Sequence, residues 1–60
     1  MERKMINQNG CVITISHVEK QGNYLLKMIN DKGAMHLMFI MDAEAEVEML
    51  KRDGYVEVKE

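Results

Sequence analysis

The feature that most constrains this 60-residue chain is the apolar stretch at residues 34–42. Side chains of a β-strand alternate between its two faces. This stretch places Met38 and Ile40 on one face and Leu37 and Phe39 on the other, so both faces are largely apolar and both have to be covered. A chain this short has one plausible helix, which covers one face. The sequence therefore predicts that a partner chain covers the second.

Chain length limits how much core the protein can build. A folded chain of this size buries only about 60% of the surface that its unfolded form exposes, and small domains usually gain stability from disulfides, a metal or association. The single cysteine, Cys11, excludes a disulfide within one chain. The 47% hydrophobic and 30% charged fractions are typical of a folded domain. We expect residues 1–60 to form a single small domain.

Charge and hydropathy narrow the classes of partner. The eight basic and ten acidic residues give a formal net charge of -2, whereas a phosphate-binding surface normally has a basic excess. The longest apolar run covers residues 37–41, far short of the roughly 20 residues that cross a bilayer. Residues 1–4 show no basic-then-apolar leader. We expect a cytoplasmic protein without membrane association, and the charge argues against nucleic acid.

A short internal similarity marks two chain reversals. Residues 4–10 and 27–33 match at five of seven positions, and in each an Asn is followed three residues later by a Gly. This pattern suits a type I turn closed by a left-handed glycine, whether or not a duplication produced it. It predicts two hairpins, and a short connection at residues 20–23 joins them. The four strands are expected at residues 3–7, 11–19, 24–30 and 34–42.

The last third of the chain predicts a helix at residues 43–53. Asp42 suits the N-cap, and Gly54 suits the left-handed residue after the helix. Acidic residues crowd the first turns and basic residues the last, as the helix dipole favours. We interpret the acidic residues as a solvated surface rather than a metal site. The stripe expected to face the sheet consists of Ala43, Val47, Leu50 and Met49.

Residues 55–60 alternate apolar and charged, which predicts a final strand at a sheet edge. Val56 and Val58 are expected to point inward and Glu57 outward. This strand is expected either to lie parallel to the fourth strand or to join a partner's sheet. The predicted fold class is α+β, an antiparallel four-strand meander followed by one helix and a short final strand (ββββαβ).

The chain has few residues of the types that bind metals or catalyse reactions. His17 and His36 are expected on one face, but two strand spacings of about 9.6 Å in total separate them. Nitrogens that share one zinc each lie within about 2.1 Å of it. Cys11 and His17 are about 20 Å apart along one strand, too far for a nucleophile and its base. The sequence predicts no catalytic residue, no cofactor and no metal site.

The seven methionines are the compositional peculiarity of the chain. Methionine fills irregular gaps in cores, and it is also over-used on surfaces that accept varied partners. The leading hypothesis is a small non-catalytic protein-interaction module, a homo-oligomeric regulator or inhibitor that acts through an exposed apolar sheet face. Its predicted partners are further copies in a homodimer or higher homo-oligomer, and another protein. The predicted interface residues are Met35, Leu37, Phe39, Met41, Leu25 and Ile29.

Two other classes of function stay open. One is nucleic-acid binding, which requires five basic side chains to gather on one surface and binding to weaken steeply with salt. These side chains are Arg3, Lys4, Lys20, Lys27 and Lys32. The other is a ligand-binding or enzymatic site at a subunit interface. Its expected residues are His17, His36 and Tyr24.

Overall fold

The computed structural model describes residues 2–18 and 23–58, which form one antiparallel five-stranded sheet with a helix on one face. The elements in chain order are β1 (Glu2–Ile6), β2 (Val12–Val18), β3 (Asn23–Ile29), β4 (Met35–Ile40), α1 (Ala43–Arg52) and β5 (Val56–Val58). The predicted α+β meander with one helix and a final strand is confirmed. Lys20, the rest of the connection between β2 and β3, and the predicted end of the last strand at residues 59–60 lie outside the described residues.

The two turns predicted from the internal similarity close the hairpins β1–β2 and β3–β4. In each turn an asparagine side-chain oxygen accepts hydrogen bonds from two backbone N–H groups further along, at 2.9 to 3.0 Å. These asparagines are Asn7 and Asn30. Gly10 and Gly33 follow with φ of +84° and +86°, a backbone conformation that strains a residue with a Cβ atom. The same sequence pattern therefore builds the same turn twice.

Strand register divides the side chains between the two faces, because residues directly opposite one another point the same way. Met5 lies opposite Ile13, which lies opposite Met28, and Ile15 lies opposite Leu26. These residues share the face on which α1 packs. The division predicted for the four-strand meander is confirmed. The buried core consists of Met5, Ile13, Ile15, Leu26, Ala43, Val47 and Leu50.

Asp42 caps the N-terminus of α1, and its carboxylate accepts a hydrogen bond from the Ala45 N–H at 3.1 Å. The helix ends before Gly54, which has φ of +94°. Val47 is fully buried, but Met49, predicted to widen the apolar stripe, is 49% exposed. At 3.6 residues per turn, Met49 lies about 200° around the helix from Val47. The contact with the sheet is therefore narrower than predicted.

Strand β5 does not take either place that the sequence suggested. The strand order is β4-β3-β2-β1-β5, and β5 pairs antiparallel with β1. It runs in the same direction as β4 but at the opposite edge, four strand spacings or about 19 Å away. The ten residues of α1, about 15 Å long, carry the chain over the central strands. Along this path α1 covers the helix side of β1 and β2. If β5 paired with β4 instead, that side of β1 and β2 would be left open.

The predicted orientation of β5 is wrong. Glu57 lies opposite Met5, so it points to the helix side of the sheet. Val56 points to the other side and is 65% exposed. The alternation of the strand is as expected, but the faces are reversed because Glu57 has an ion-pair partner on the helix side, described below.

Candidate protein-interaction surface

The sheet face opposite α1, here called the open face, carries apolar side chains from all five strands. One row of directly paired residues crosses the whole sheet and is apolar throughout. It consists of Val56, Ile6, Val12, Ile29 and Met35. Because no element of the described chain packs on this side of the sheet, the row is covered by strand neighbours alone.

The next two rows of the open face become apolar towards β4. One runs from Val58 through Lys4, Thr14 and Lys27 to Leu37, and the other runs from Glu2 through Ser16 and Leu25 to Phe39. Leu37 and Phe39 are each 59% exposed. The open face therefore carries both polar and apolar side chains on β1 and β2, and only apolar side chains on β4.

The structure places five of the six predicted interface residues on the open face. Met35, Leu37 and Phe39 are more than half exposed, whereas Leu25 and Ile29 are half-buried between strands. Met41 is 86% exposed, but it lies in the connection between β4 and α1 and lines a cleft on the helix side. Ile6 and Val56 also belong to this surface but were not among the predicted interface residues. The pattern placed Ile6 on this face, whereas it predicted that Val56 points inward.

Strand β4 is also exposed on its helix side. Met38 is 54% exposed and His36 is exposed, and only Ile40 packs against the core. The core residues of α1 contact the side chains of β1, β2 and β3, so β4 projects beyond the helix. Both sides of β4 and its outer edge are therefore open within the described part of the chain.

A cleft of about 970 Å³ with a mixed polar and apolar lining lies where α1 begins. Arg3 lines it and donates from Nε to Glu57 Oε2 at 2.8 Å and from Nη2 to Glu57 Oε1 at 2.9 Å. Its Nη1 donates to Glu44, which sequence reasoning had placed on a solvated surface and which is 77% exposed. The hydrogen bond to Glu57 is the main cause that raises the pKa of Arg3 above its ordinary value. The guanidinium charge is balanced within the chain by two carboxylates.

The histidines do not meet. His17 lies beside Tyr24 in the cleft, with ring centroids 5.2 Å apart. His36 lies across β3, opposite Met28, four residues along the register from Tyr24. The separation is about 16 Å from strand spacing and rise, larger than the two strand spacings alone because the register also offsets the two histidines. Within residues 2–18 and 23–58, no group of three or more His, Cys, Asp and Glu side chains is placed to hold a metal ion.

The basic residues proposed for nucleic acid divide between surfaces. Arg3 lies on the helix side in its two ion pairs. Lys4 and Lys27 lie on the open face, two strands apart, and Lys32 lies in the turn between β3 and β4. The structure therefore does not gather Arg3 and these lysines on one surface.

Cys11 is half-buried as a free thiol at the start of β2, beside Tyr55. Burial is the largest cause that raises the pKa of Tyr55, and the neighbouring Cys11 adds to it. His17 lies at the far end of the same strand. The geometry gives Cys11 a packing environment rather than a histidine base.

Comparison with models of protein families, with curated proteins and with solved structures finds no match to this chain. In the described residues, no helix is both long and apolar enough to pass through a bilayer. The function has to be inferred from the geometry of the chain itself.

Proposed function

We propose that this protein is a small, homo-oligomeric, non-catalytic interaction module that binds another protein through its open face and acts as a regulator or inhibitor of it. The single observation that supports this most is the apolar row that crosses all five strands opposite the helix. We also propose a cytoplasmic setting, because the only cysteine of the chain is unpaired.

The size of the exposed surface indicates how much of it a partner has to cover. Full burial of a large aliphatic or aromatic side chain contributes about 1.5–3 kcal/mol. The exposed halves of Met35, Leu37 and Phe39 therefore supply roughly 3–5 kcal/mol together. Association itself costs at least about 4 kcal/mol in lost freedom. A stable complex consequently has to cover the apolar row as well as the side chains of β4.

The charges of the open face specify the chemistry of the partner. Lys4 and Lys27 flank Thr14 in the middle row, and the described residues contain no ion pair from either lysine. A partner that covers the face is expected to place acidic side chains opposite these two lysines, because complementary charge sets register and specificity. The proposed partner surface is thus apolar with carboxylates near its centre.

A charge placed in the apolar row tests the proposal. Ile29→Lys introduces an ammonium group between Val12 and Met35, and Met49→Lys introduces the same group at an exposed apolar position on the helix side. We expect wild type and Met49→Lys to self-associate in a light-scattering concentration series and to enrich the same protein from the source cell by quantitative mass spectrometry. Ile29→Lys is expected to lose the enrichment of this protein while keeping its circular dichroism spectrum.

Two results contradict the proposal. One is a folded Ile29→Lys variant that enriches the same protein as wild type. The other is a wild-type chain that stays monomeric and enriches nothing beyond an unrelated bait of the same size.

A further inference from the structure

The two edges of the sheet are built differently. Strand β5 has three described residues, and its Glu57 carries a charge at the edge. Strand β4 has six residues with no charged side chain and no proline, and its register with β3 is continuous without a bulge. Proteins normally protect an edge by short length, charge, proline or a bulge. The β4 edge has none of these protections.

The hydrogen-bond pattern of the β3–β4 ladder decides which backbone groups of β4 face outward. Asn30 N–H donates to the Ala34 carbonyl at 3.0 Å, so this pair is hydrogen-bonded, and such pairs alternate along an antiparallel ladder. The residues whose N–H and C=O groups face β3 are His36, Met38 and Ile40. Those whose groups face the free edge are Met35, Leu37 and Phe39.

We infer that β4 pairs antiparallel with β4 of a second copy of this chain, around a two-fold axis at Leu37. This inference rests on the proposed self-association and names the contact that produces it. Leu37 then lies opposite the partner's Leu37, and Met35 lies opposite the partner's Phe39. Each of these pairs exchanges two backbone hydrogen bonds, so the two sheets join into one with both helices on the same side.

The side chains of β4 suit this self-pairing. On the open face, Met35 contacts the partner's Phe39, a combination in which the polarisable sulfur packs favourably against the ring. On the helix side, His36 lies opposite the partner's Met38. The axis therefore places no two like charges opposite one another. Like charges in such positions would destabilise the strand pair.

The exposed area of β4 sets the strength that is expected of this pairing. Five side chains in and after β4 are 54 to 86% exposed, namely Met35, Leu37, Met38, Phe39 and Met41. At roughly 150 Å² for a large side chain, they expose on the order of 500 Å² in each copy. Two copies together expose about 1,000 Å² in these side chains. Edge pairing covers only part of this area, because strand side chains stand roughly perpendicular to the sheet, so the interface lies below the usual lower limit of about 1,200 Å². We expect a dimer that forms at micromolar rather than nanomolar concentration.

Residue-resolved hydrogen exchange of the wild-type chain tests the pairing directly. In the monomer, the amides of the three residues facing β3 are protected and those facing the free edge exchange freely. As concentration rises and the dimer forms, the amides of Met35, Leu37 and Phe39 are expected to slow at least ~10-fold. Unchanged exchange of these three amides in a dimer overturns the edge pairing and leaves association through the open face standing.

A matched pair of substitutions separates the backbone from the side chain. Leu37→Pro removes one N–H group that points to the free edge, a position where a sheet tolerates proline, and Leu37→Thr keeps the N–H and a good strand former. We expect Leu37→Pro to weaken dimerisation at least ~100-fold and Leu37→Thr no more than ~10-fold, since only the former loses pairing hydrogen bonds.

The outcomes distinguish this inference from the proposed function. A dimer lost with Ile29→Lys and kept with a folded Leu37→Pro overturns edge pairing and supports stacking of the open faces. A wild-type chain that is monomeric up to about 1 mM overturns the edge pairing and the proposed self-association, but not the binding of another protein. Protection of the three outward amides only after an unrelated extended peptide is added overturns the second copy as the occupant of the edge.

Discussion

Arg3 on β1 and Glu57 on β5, 54 positions apart in the chain, meet through two parallel hydrogen bonds of 2.8 and 2.9 Å. Their side chains are 24% and 15% exposed, so both charges are partly shielded from water. A carboxylate in such a site is costly unless it is paired. The arginine therefore accounts for the orientation of β5, with the glutamate on the helix side and the valines on the open face.

Removal of this pair is expected to destabilise the fold. Arg3→Met keeps an aliphatic stem but leaves Glu57 without its bidentate donor, and we expect the free energy of unfolding to fall by about 1–2 kcal/mol. Urea denaturation measures this change. Arg3→Lys is expected to restore only part of it, because an ammonium group cannot reproduce the planar fork. In a double-mutant cycle with Glu57→Gln, strictly additive losses would contradict a direct coupling.

The two asparagine-closed turns are expected to contribute equally to stability. Asn7→Ala and Asn30→Ala each remove an acceptor of two backbone hydrogen bonds, and each is expected to cost about 1–2 kcal/mol in thermal or urea unfolding. Asn9→Ala is the control, because Asn9 contributes only its backbone N–H to the first turn. Its effect is expected to stay within about 0.5 kcal/mol. A loss at position 9 as large as that at position 7 contradicts the role of the side-chain oxygen.

Helix α1 is expected to depend on Val47 far more than on Met49. Val47 is fully buried and Met49 is 49% exposed. Val47→Ala opens a cavity in the core and is expected to lower the free energy of unfolding by about 2 kcal/mol. Met49→Ala is expected to change it by less than about 0.5 kcal/mol. Similar losses at the two positions would show that the helix packs through a different stripe.

Tyr55 is expected to make stability fall at alkaline pH. Burial, followed by the charge of Cys11, raises the pKa of Tyr55 above its ordinary value of 10.0. Because the folded state holds the phenol proton more tightly than the unfolded state, the stabilisation is complete below the unfolded pKa. It is lost as pH rises through the folded pKa. The difference between wild type and Tyr55→Phe in urea unfolding across this alkaline range measures the contribution.

Absorbance titration gives an independent check on Tyr55. The chain has two tyrosines, so Tyr24→Phe leaves Tyr55 as the only phenol to titrate. We expect a midpoint above that of the same chain in denaturant. Equal midpoints in the two states would remove the basis for any difference between wild type and Tyr55→Phe.

The parts of the fold that the sequence determined are those with local or short-range causes. The repeated Asn and Gly spacing predicted two hairpins, and strand alternation then assigned the side chains of β1 to β4 to the correct faces. Asp42 and Gly54 marked the ends of α1, because caps satisfy backbone groups within one turn. The sequence also showed that both faces of β4 are apolar. Because one helix covers only one face, this pattern predicted uncovered apolar residues, among them Leu37 and Phe39.

Tertiary structure alone decided the placement of β5, the side on which Glu57 lies, and the overhang of β4 beyond the helix. The alternation of apolar and charged residues in β5 does not show which of them face the helix. The orientation of the strand therefore depends on a partner such as Arg3 that is remote in the chain. The exposure of Met38 likewise depends on the path of α1 across the sheet, which the pairing of β5 with β1 sets. These features arise from contacts between distant segments, and no local pattern of residues encodes them.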